Sequence, residues 1–216
     1  MTNKKNDTTV SAAVIKRLPR YFRYLRMLLN ENKLRISSND LAELMGVTAS
    51  QIRQDLNCFG GFGQQGYGYN VTYLYGKISE ILGVHENYHA IVIGAGRLGQ
   101  ALMGYKGFEE YGLNVLAAFD TNPAVDRTDD GKPIYRMDQL ETFCKAHKVL
   151  MGIITVPDSH AQEVCDQLIK CGIKAIWNFA PIHLEVPSNI LVQSENMATS
   201  LAVLSMHLQA HIKDKK

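Results

Sequence analysis

The stretch His89–Tyr105, HAIVIGAGRLGQALMGY, joins a short β-branched apolar run to a glycine turn and a helix-forming tail. Ala90–Ile93 predicts a buried strand, Gly94-Ala95-Gly96-Arg97-Leu98-Gly99 a tight turn, and Gln100-Ala101-Leu102-Met103 the body of a helix. Strand, GxGxxG and helix in that order form the cradle that receives a dinucleotide pyrophosphate. Gly94 permits the turn, Gly96 lets the backbone approach the phosphates with no Cβ between, and Gly99 lets the helix pack close to the strand. The helix N-terminus then presents free N–H groups and a positive dipole end to the anion. Gly94, Ala95, Gly96, Arg97, Leu98 and Gly99 are therefore candidate cofactor contacts.

Working outward, Asn114–Phe119 predicts a second strand that ends at Asp120, 21 positions after Gly99. A carboxylate at that spacing accepts hydrogen bonds from ribose hydroxyls and repels a 2′-phosphate, which selects NAD(H) over NADP(H). Asp138–His147 then reads as a helix, Val149–Thr155 as a strand, Ser159–Cys171 as a helix and Ala175–Phe179 as a strand. This alternation predicts an α/β domain built on a mostly parallel sheet. Ligands lie at the carboxyl ends of such strands, so the turns holding Thr155, Val156 and Pro157, and Asn178, Phe179 and Ala180, are expected to line the cleft.

The glycine turn begins at Gly94, where a chain that opened with its nucleotide domain would place it near residue 10, so about 85 residues are left for a small domain ahead of it. Ala13–Asn30 carries a helical stripe of Val14, Leu18, Phe22, Leu25 and Leu29, with Arg17, Arg20, Arg23 and Arg26 among them. Ser37-Ser38-Asn39-Asp40 supplies caps to Leu41–Met45, which Gly46 stops, and Thr48-Ala49-Ser50 caps a third helix, Gln51–Phe59. Two short helices around a glycine-containing turn form a helix-turn-helix, and the segment from Gly60 to Val71, GGFGQQGYGYNV, suits a β-hairpin wing. The alternative is a small helical bundle without a ligand. As a winged helix the domain would place Ser50, Gln51, Arg53 and Gln54 near the groove, with Gln64, Gln65 and Tyr67 in the wing.

The charge distribution agrees with a polyanion partner at the front of the chain. Residues 1–85 hold 11 Lys and Arg against 6 Asp and Glu, net +5, whereas residues 86–216 hold 12 against 15, net −3. The 216 residues are 46% hydrophobic, enough for real cores, yet no apolar run approaches the ~20 residues of a membrane span. No secretory leader is recognisable at the N-terminus, so the expected location is the cytoplasm. Cys58, Cys144, Cys165 and Cys171 show no CxxC or zinc-ligand spacing and read as reduced thiols, so no metal site is expected.

The sequence resembles one family, the redox-sensing transcriptional repressors called Rex. The likeness spans nearly the whole chain: Lys16-Arg17-Leu18-Pro19, Ile52-Arg53-Gln54-Asp55-Leu56, the FGGFGQQGYGY wing, GAGRLGQAL, TVP and NFAP. It implies a winged-helix domain (1–85), a Rossmann-like domain (86–196) and a C-terminal helix (197–216) exchanged between the subunits of a homodimer. That helix would be Met197–Ile212, whose Leu201, Leu204, Leu208 and Ile212 form an apolar stripe, although by spacing alone the stripe fits packing within one subunit equally well. The resemblance further implies binding of NADH and NAD⁺ at one site, release of palindromic operator DNA by NADH, and no catalysis. Tyr105 matches a family tyrosine near the nicotinamide.

Two departures from the family pattern stand out. Gln54 lies where many members carry Lys, and Asn196 lies where the family has an Asp that engages a positive partner, here Arg23 of the other subunit. Two other functions stay open at this point. One is an NAD-dependent oxidoreductase with an accessory N-terminus, for which His160 is the tempting acid or base; the other is an NAD-binding regulator that answers a different signal.

Overall fold

The computed structural model describes residues 11–58, 63–64, 68–124 and 126–213. The chain divides into two compact units, Met1–His85 and Glu86–Lys216.

In the first unit α1 (Ala12–Asn30) is capped by Ser11, whose side chain accepts from the Val14 N–H. Pro19 lies inside α1 without ending it. An interior proline costs roughly 3 kcal/mol, and here the buried row Val14, Leu18, Tyr21, Phe22, Leu25 and Leu28 offsets it. The two-residue β1 (Arg35–Ile36) leads to α2 (Ser38–Met45), capped by Ser37 and closed by Gly46 in the left-handed region at φ 62°. Thr48 caps α3 (Ala49–Asn57), so Ser50 and Gln51 lie within the third helix rather than before it or at its start.

The hairpin strands β2 (Gly63–Gln64) and β3 (Gly68–Asn70) complete an antiparallel sheet of order β1-β3-β2. Gly68 sits at φ 69°, and a Cβ there would stand 2.6 Å from the Ile36 carbonyl oxygen, so only glycine lets these strands meet. Asn70 then caps α4 (Val71–Leu82), a helix that the sequence reading left unassigned. It packs on α1, with Tyr75 stacked on Phe22 at 5.0 Å between ring centres. Helix, strand, two helices and a hairpin make a winged helix-turn-helix. Gln65 and Tyr67 fall outside the described residues.

The second unit is a six-stranded, wholly parallel sheet. Its strands are β4 (Tyr88–Ile93), β5 (Leu113–Asp120), β6 (Ile134–Arg136), β7 (Met151–Ile154), β8 (Ala175–Asn178) and β9 (Leu191–Ser194), in the order β6-β5-β4-β7-β8-β9. Counted from β4 this is the 3-2-1-4-5-6 order of a Rossmann sheet, with its switch point between β4 and β7. Alternation along β4 sorts the core into two layers. Ile91 and Ile93 face α6 (Leu140–His147) and α7 (Asp158–Lys170), while Ala90 and Val92 face α5 (Arg97–Met103) and the 3-10 helix Lys106–Tyr111.

Several sequence boundaries shift. The predicted helix Asp138–His147 divides into a 3-10 turn, Met137–Gln139, and α6, and the strand predicted over Val149–Thr155 shortens to β7. Strands β6 and β9 were not anticipated. The chain ends in α8 (Met197–Lys213), in which no residue is buried, with Leu201, Leu204, Leu208 and Ile212 each more than half exposed.

Candidate nucleotide cleft and nucleic-acid interface

The glycine turn leaves β4 at the switch point and is held from three sides. The Gly94 N–H donates to the Phe119 carbonyl at 2.8 Å, and the Thr155 hydroxyl reaches the Gly94 carbonyl at 2.8 Å and the Ile93 carbonyl at 3.1 Å. The third tie is Asp120: one carboxylate oxygen accepts from the Ala95 N–H at 2.8 Å and the other from the Asn122 N–H at 3.0 Å. Asp120 thus fixes the turn from the end of β5, a duty that spacing alone did not reveal.

The three glycines have different reasons to be there. A Cβ on Gly99 would collide with the Gly94 carbonyl, and one on Gly94, at φ 100°, would press on Thr155 at 3.0 Å. Around Gly96, the N-cap of α5, a Cβ would meet nothing within 4 Å. Protein packing therefore explains Gly94 and Gly99 but not Gly96, whose bare Cα opens onto the place where a phosphate would approach the α5 N-terminus. Arg97 and Leu98 form the first turn of that helix, both exposed.

Beside the turn lies a cleft of about 280 Å³ lined by Gly94, Asp120, Met137, Val156, Pro157, His160, Glu163 and Gln167 among others. It brings together the ends of β5 and β7 with one side of α7, and Val156 and Pro157 line it. The turn after β8 needs a correction. Asn178 and Ala180 are buried, and the Asn178 amide is spent inside the turn, donating to the Ala180 and Ile182 carbonyls, each at 3.0 Å, and accepting from the Ala180 N–H at 2.9 Å. These residues shape the turn from within, and Phe179 between them is only partly buried.

From Phe179 a line of aromatic rings runs through Trp177 and Phe108 to Tyr105, with centroid separations of 4.9, 5.4 and 4.9 Å. Tyr105 is 60% exposed, and Trp177 is only partly buried.

In the first unit, α3 presents Ser50, Arg53 and Gln54 on an exposed side. Arg53 donates to the Ser38 hydroxyl of α2 at 3.0 Å. Gln51 is turned inward, its amide nitrogen 2.8 Å from Asp55. Asp55, 1% exposed, also accepts from both Arg17 Nε and Nη2, at 2.6 and 2.7 Å, and from the Tyr21 hydroxyl at 2.9 Å. Burial alone would raise the Asp55 pKa, but the hydrogen bonds from Arg17, Gln51 and Tyr21 outweigh it and hold the carboxyl below its ordinary range. Burial, then the bond to Asp55, pushes the Tyr21 hydroxyl up.

This network locks α3 to α1 and was not foreseen. Its signal is an acid on the inner side of a short helix opposite an Arg and a Tyr one turn apart. It also narrows the basic surface, since Arg17 is used on Asp55 and Arg20 caps α2 by donating to the Met45 carbonyl at 2.6 Å. Arg23 lies over the Tyr24 ring and Arg26 over that of Phe22.

Family models match both units: "Putative DNA-binding protein N-terminus" over residues 9–57 and "CoA binding domain" over residues 85–182. The chain is 48% identical over 211 residues to the redox-sensing transcriptional repressor Rex of Thermoanaerobacter sp. (strain X514), across 97% of this chain and 94% of that protein. With the repressor Rex of Clostridium botulinum (strain Hall) it shares 50% over 206 residues, 95% and 97% of the two chains. The chain belongs to the Rex family.

Solved Rex-family structures agree with the fold. The structure of RSP in complex with beta-NAD+ and operator DNA superposes with a TM-score of 0.87 at 48% identity, covering 95% of each chain. That of RSP with beta-NADH gives 0.81 at 45% identity, covering 96% of this chain and 99% of that one. The nucleotide domain is thus shared with a CoA-binding class by pattern, but the full-length Rex relatives decide the ligand class. Curated Rex members are repressors, which sets aside the oxidoreductase reading built on His160.

Proposed function

We propose that this protein is a DNA-binding transcriptional repressor that senses the NADH/NAD⁺ ratio, held on palindromic operators and released by NADH. One observation carries this: a winged helix and a dinucleotide cradle share one chain whose Rex relative RSP is known both with beta-NAD+ and operator DNA and with beta-NADH. The ligand acts by population shift, so NADH releases the operator only to the extent that it binds the DNA-free form more tightly. No hydride need move.

In this reading the pyrophosphate lies on Gly94, Ala95, Gly96, Arg97, Leu98 and Gly99. Asp120 takes the adenosine ribose. Because Asp120 shares its cleft with Val156 and Pro157, the adenosine half lies there, and the nicotinamide half runs past Thr155 over Phe179, the turn being shaped by Asn178 and Ala180, toward Tyr105. Ser50, Arg53 and Gln54 meet the operator, with Gln64, Gln65 and Tyr67 of the wing alongside; Gln51 acts through Asp55. Residues 1–85, 86–196 and 197–216 are the DNA-binding, nucleotide and dimerisation segments of a homodimer in which α8 is exchanged. No helix among the described residues is long and apolar enough to cross a membrane, and the operator sets the place of action in the cytoplasm.

The test is operator binding at fixed salt, titrated with NADH and with NAD⁺, because protein–DNA affinity falls steeply with ionic strength. Release by NADH at concentrations where NAD⁺ leaves the complex intact is expected. Binding indifferent to both nucleotides would overturn the reading.

A further inference from the structure

Within one chain helix α8 buries none of its residues, so what joins it to the nucleotide domain is the segment that leads into it. That segment is tied at close range to the end of β8. The Glu195 N–H donates to the Asn178 carbonyl at 2.8 Å, the Asn178 amide donates to the Ser194 hydroxyl at 3.4 Å, and the indole Nε1 of Trp177 donates to Glu195 Oε1 at 3.1 Å. Trp177 is the chain's only tryptophan, and its ring touches Phe179 in the turn at the carboxyl end of β8, where ligands of such sheets lie.

We propose that the Trp177–Glu195 hydrogen bond couples the nicotinamide end of the cleft to α8, making Glu195 a positioning residue of the NADH switch. The proposal rests on the nucleotide-sensing reading above. Tryptophan has a single polar hydrogen, so an indole that rotates must break this bond or carry the carboxylate with it. The bond is charge-assisted and part-buried, which makes it stronger than a neutral or fully solvated one. The Phe179 and Trp177 rings lie in contact, 4.9 Å between centres, and Glu195 stands two residues before the first residue of α8. A nicotinamide that repositions Phe179 therefore redirects α8 through one side chain.

The experiment compares the parent with Glu195→Ala and Glu195→Gln, measuring NADH binding, operator binding and NADH-induced release separately, with Trp177 emission as the spectroscopic signature. In the parent NADH weakens operator binding by about tenfold or more, within the usual size of allosteric coupling, and shifts the Trp177 emission. Glu195→Ala is expected to bind NADH and operator as the parent does yet lose most of the release and of the emission shift. Glu195→Gln, which keeps an acceptor oxygen, restores both. Full release in Glu195→Ala, or failure of Glu195→Gln to recover any, overturns the coupling. If Glu195→Ala does not fold, Trp177→Phe removes the donor while keeping a ring, and retained release in that variant is equally decisive. A parent that stays on its operator with NADH bound overturns the sensing reading itself, and the coupling with it.

Discussion

Gln54 stands on the exposed side of α3, and its amide offers one donor and one acceptor side by side. That pair matches adenine N6 and N7, whereas a lysine reads the acceptors of guanine, each good contact being worth about 1–3 kcal/mol. Operators preferred by this protein should therefore carry a T·A pair in each half-site where Gln54→Lys shifts the preference to G·C; a binding competition in which Gln54→Lys keeps the parent's choice refutes this. Asp55 is the other decisive residue of α3. Its pKa lies below the unbonded value of 3.8, so the stability it contributes is present above that value and is lost as pH falls through it toward the folded pKa. Acid titration should show the winged-helix signal unchanged from neutrality down to about pH 5 and falling below about pH 4. Arg17→Ala, which strips the buried carboxylate of its ion pair, is expected to cost about 3–5 kcal/mol by chemical denaturation. Among the glycines, Gly96→Ala should abolish nucleotide binding while leaving the melting temperature within a degree or two, because no protein atom opposes the new Cβ; Gly99→Ala should lower both. The glycine turn was legible because its chemistry is local to six residues. The Asp55 network was not, since its partners lie 34 and 38 positions away and meet only when α1 and α3 pack.

Helix α8 shows most clearly how an element can be legible while its role is not. The resemblance implied a helix over Met197–Ile212 and α8 covers it, but whether its leucines pack within the chain or outside it is a tertiary fact, and every one of them is exposed here. A contiguous apolar face of that kind marks an interaction surface. A chain ending at Asn196 should therefore sediment as a monomer and bind a palindromic duplex far more weakly than the full chain, and a dimer of undiminished affinity would contradict the exchange. Helix α4 escaped the sequence reading for a different reason. Its β-branched and aromatic residues and Gly76 favour other conformations intrinsically, and only burial of Val71, Leu74 and Ile78 with the α1 core fixes it as helix. Strands β6 and β9 are three and four residues long at the two edges of the sheet, too short to display a period of their own. The cysteines divide by element too: burial pushes Cys144 in α6 up to about 12 and Cys165 in α7 up to about 11. A thiol-reactive dye at pH 8 should label Cys58, partly exposed at the end of α3, well before either.

For the whole molecule, function lies in having two ligands of opposite demands in one chain: a polyanion on a basic unit and a dinucleotide on a mildly acidic one. Operator affinity should fall steeply as salt rises from 50 to 200 mM, because phosphate contacts release counterions. Its slope should change little in Arg20→Ala as compared with Arg53→Ala, since Arg20 caps α2 whereas Arg53 lies on the exposed side of α3. Sequence alone determined the order of the units, the glycine cradle, the acid at Asp120, the helix-turn-helix caps and the likeness to Rex, because each is written in residues close together along the chain. Only the tertiary structure decided that Asp120 also clamps the glycine turn, that Asn178 and Ala180 work from inside the turn after β8, that Gln51, Arg17 and Arg20 are hydrogen-bonded within the first unit, and that Trp177 bonds Glu195 at the root of α8. Each of those depends on which distant side chain arrives within about 3 Å, and hydrogen-bond chemistry at that range is set by packing rather than by spacing.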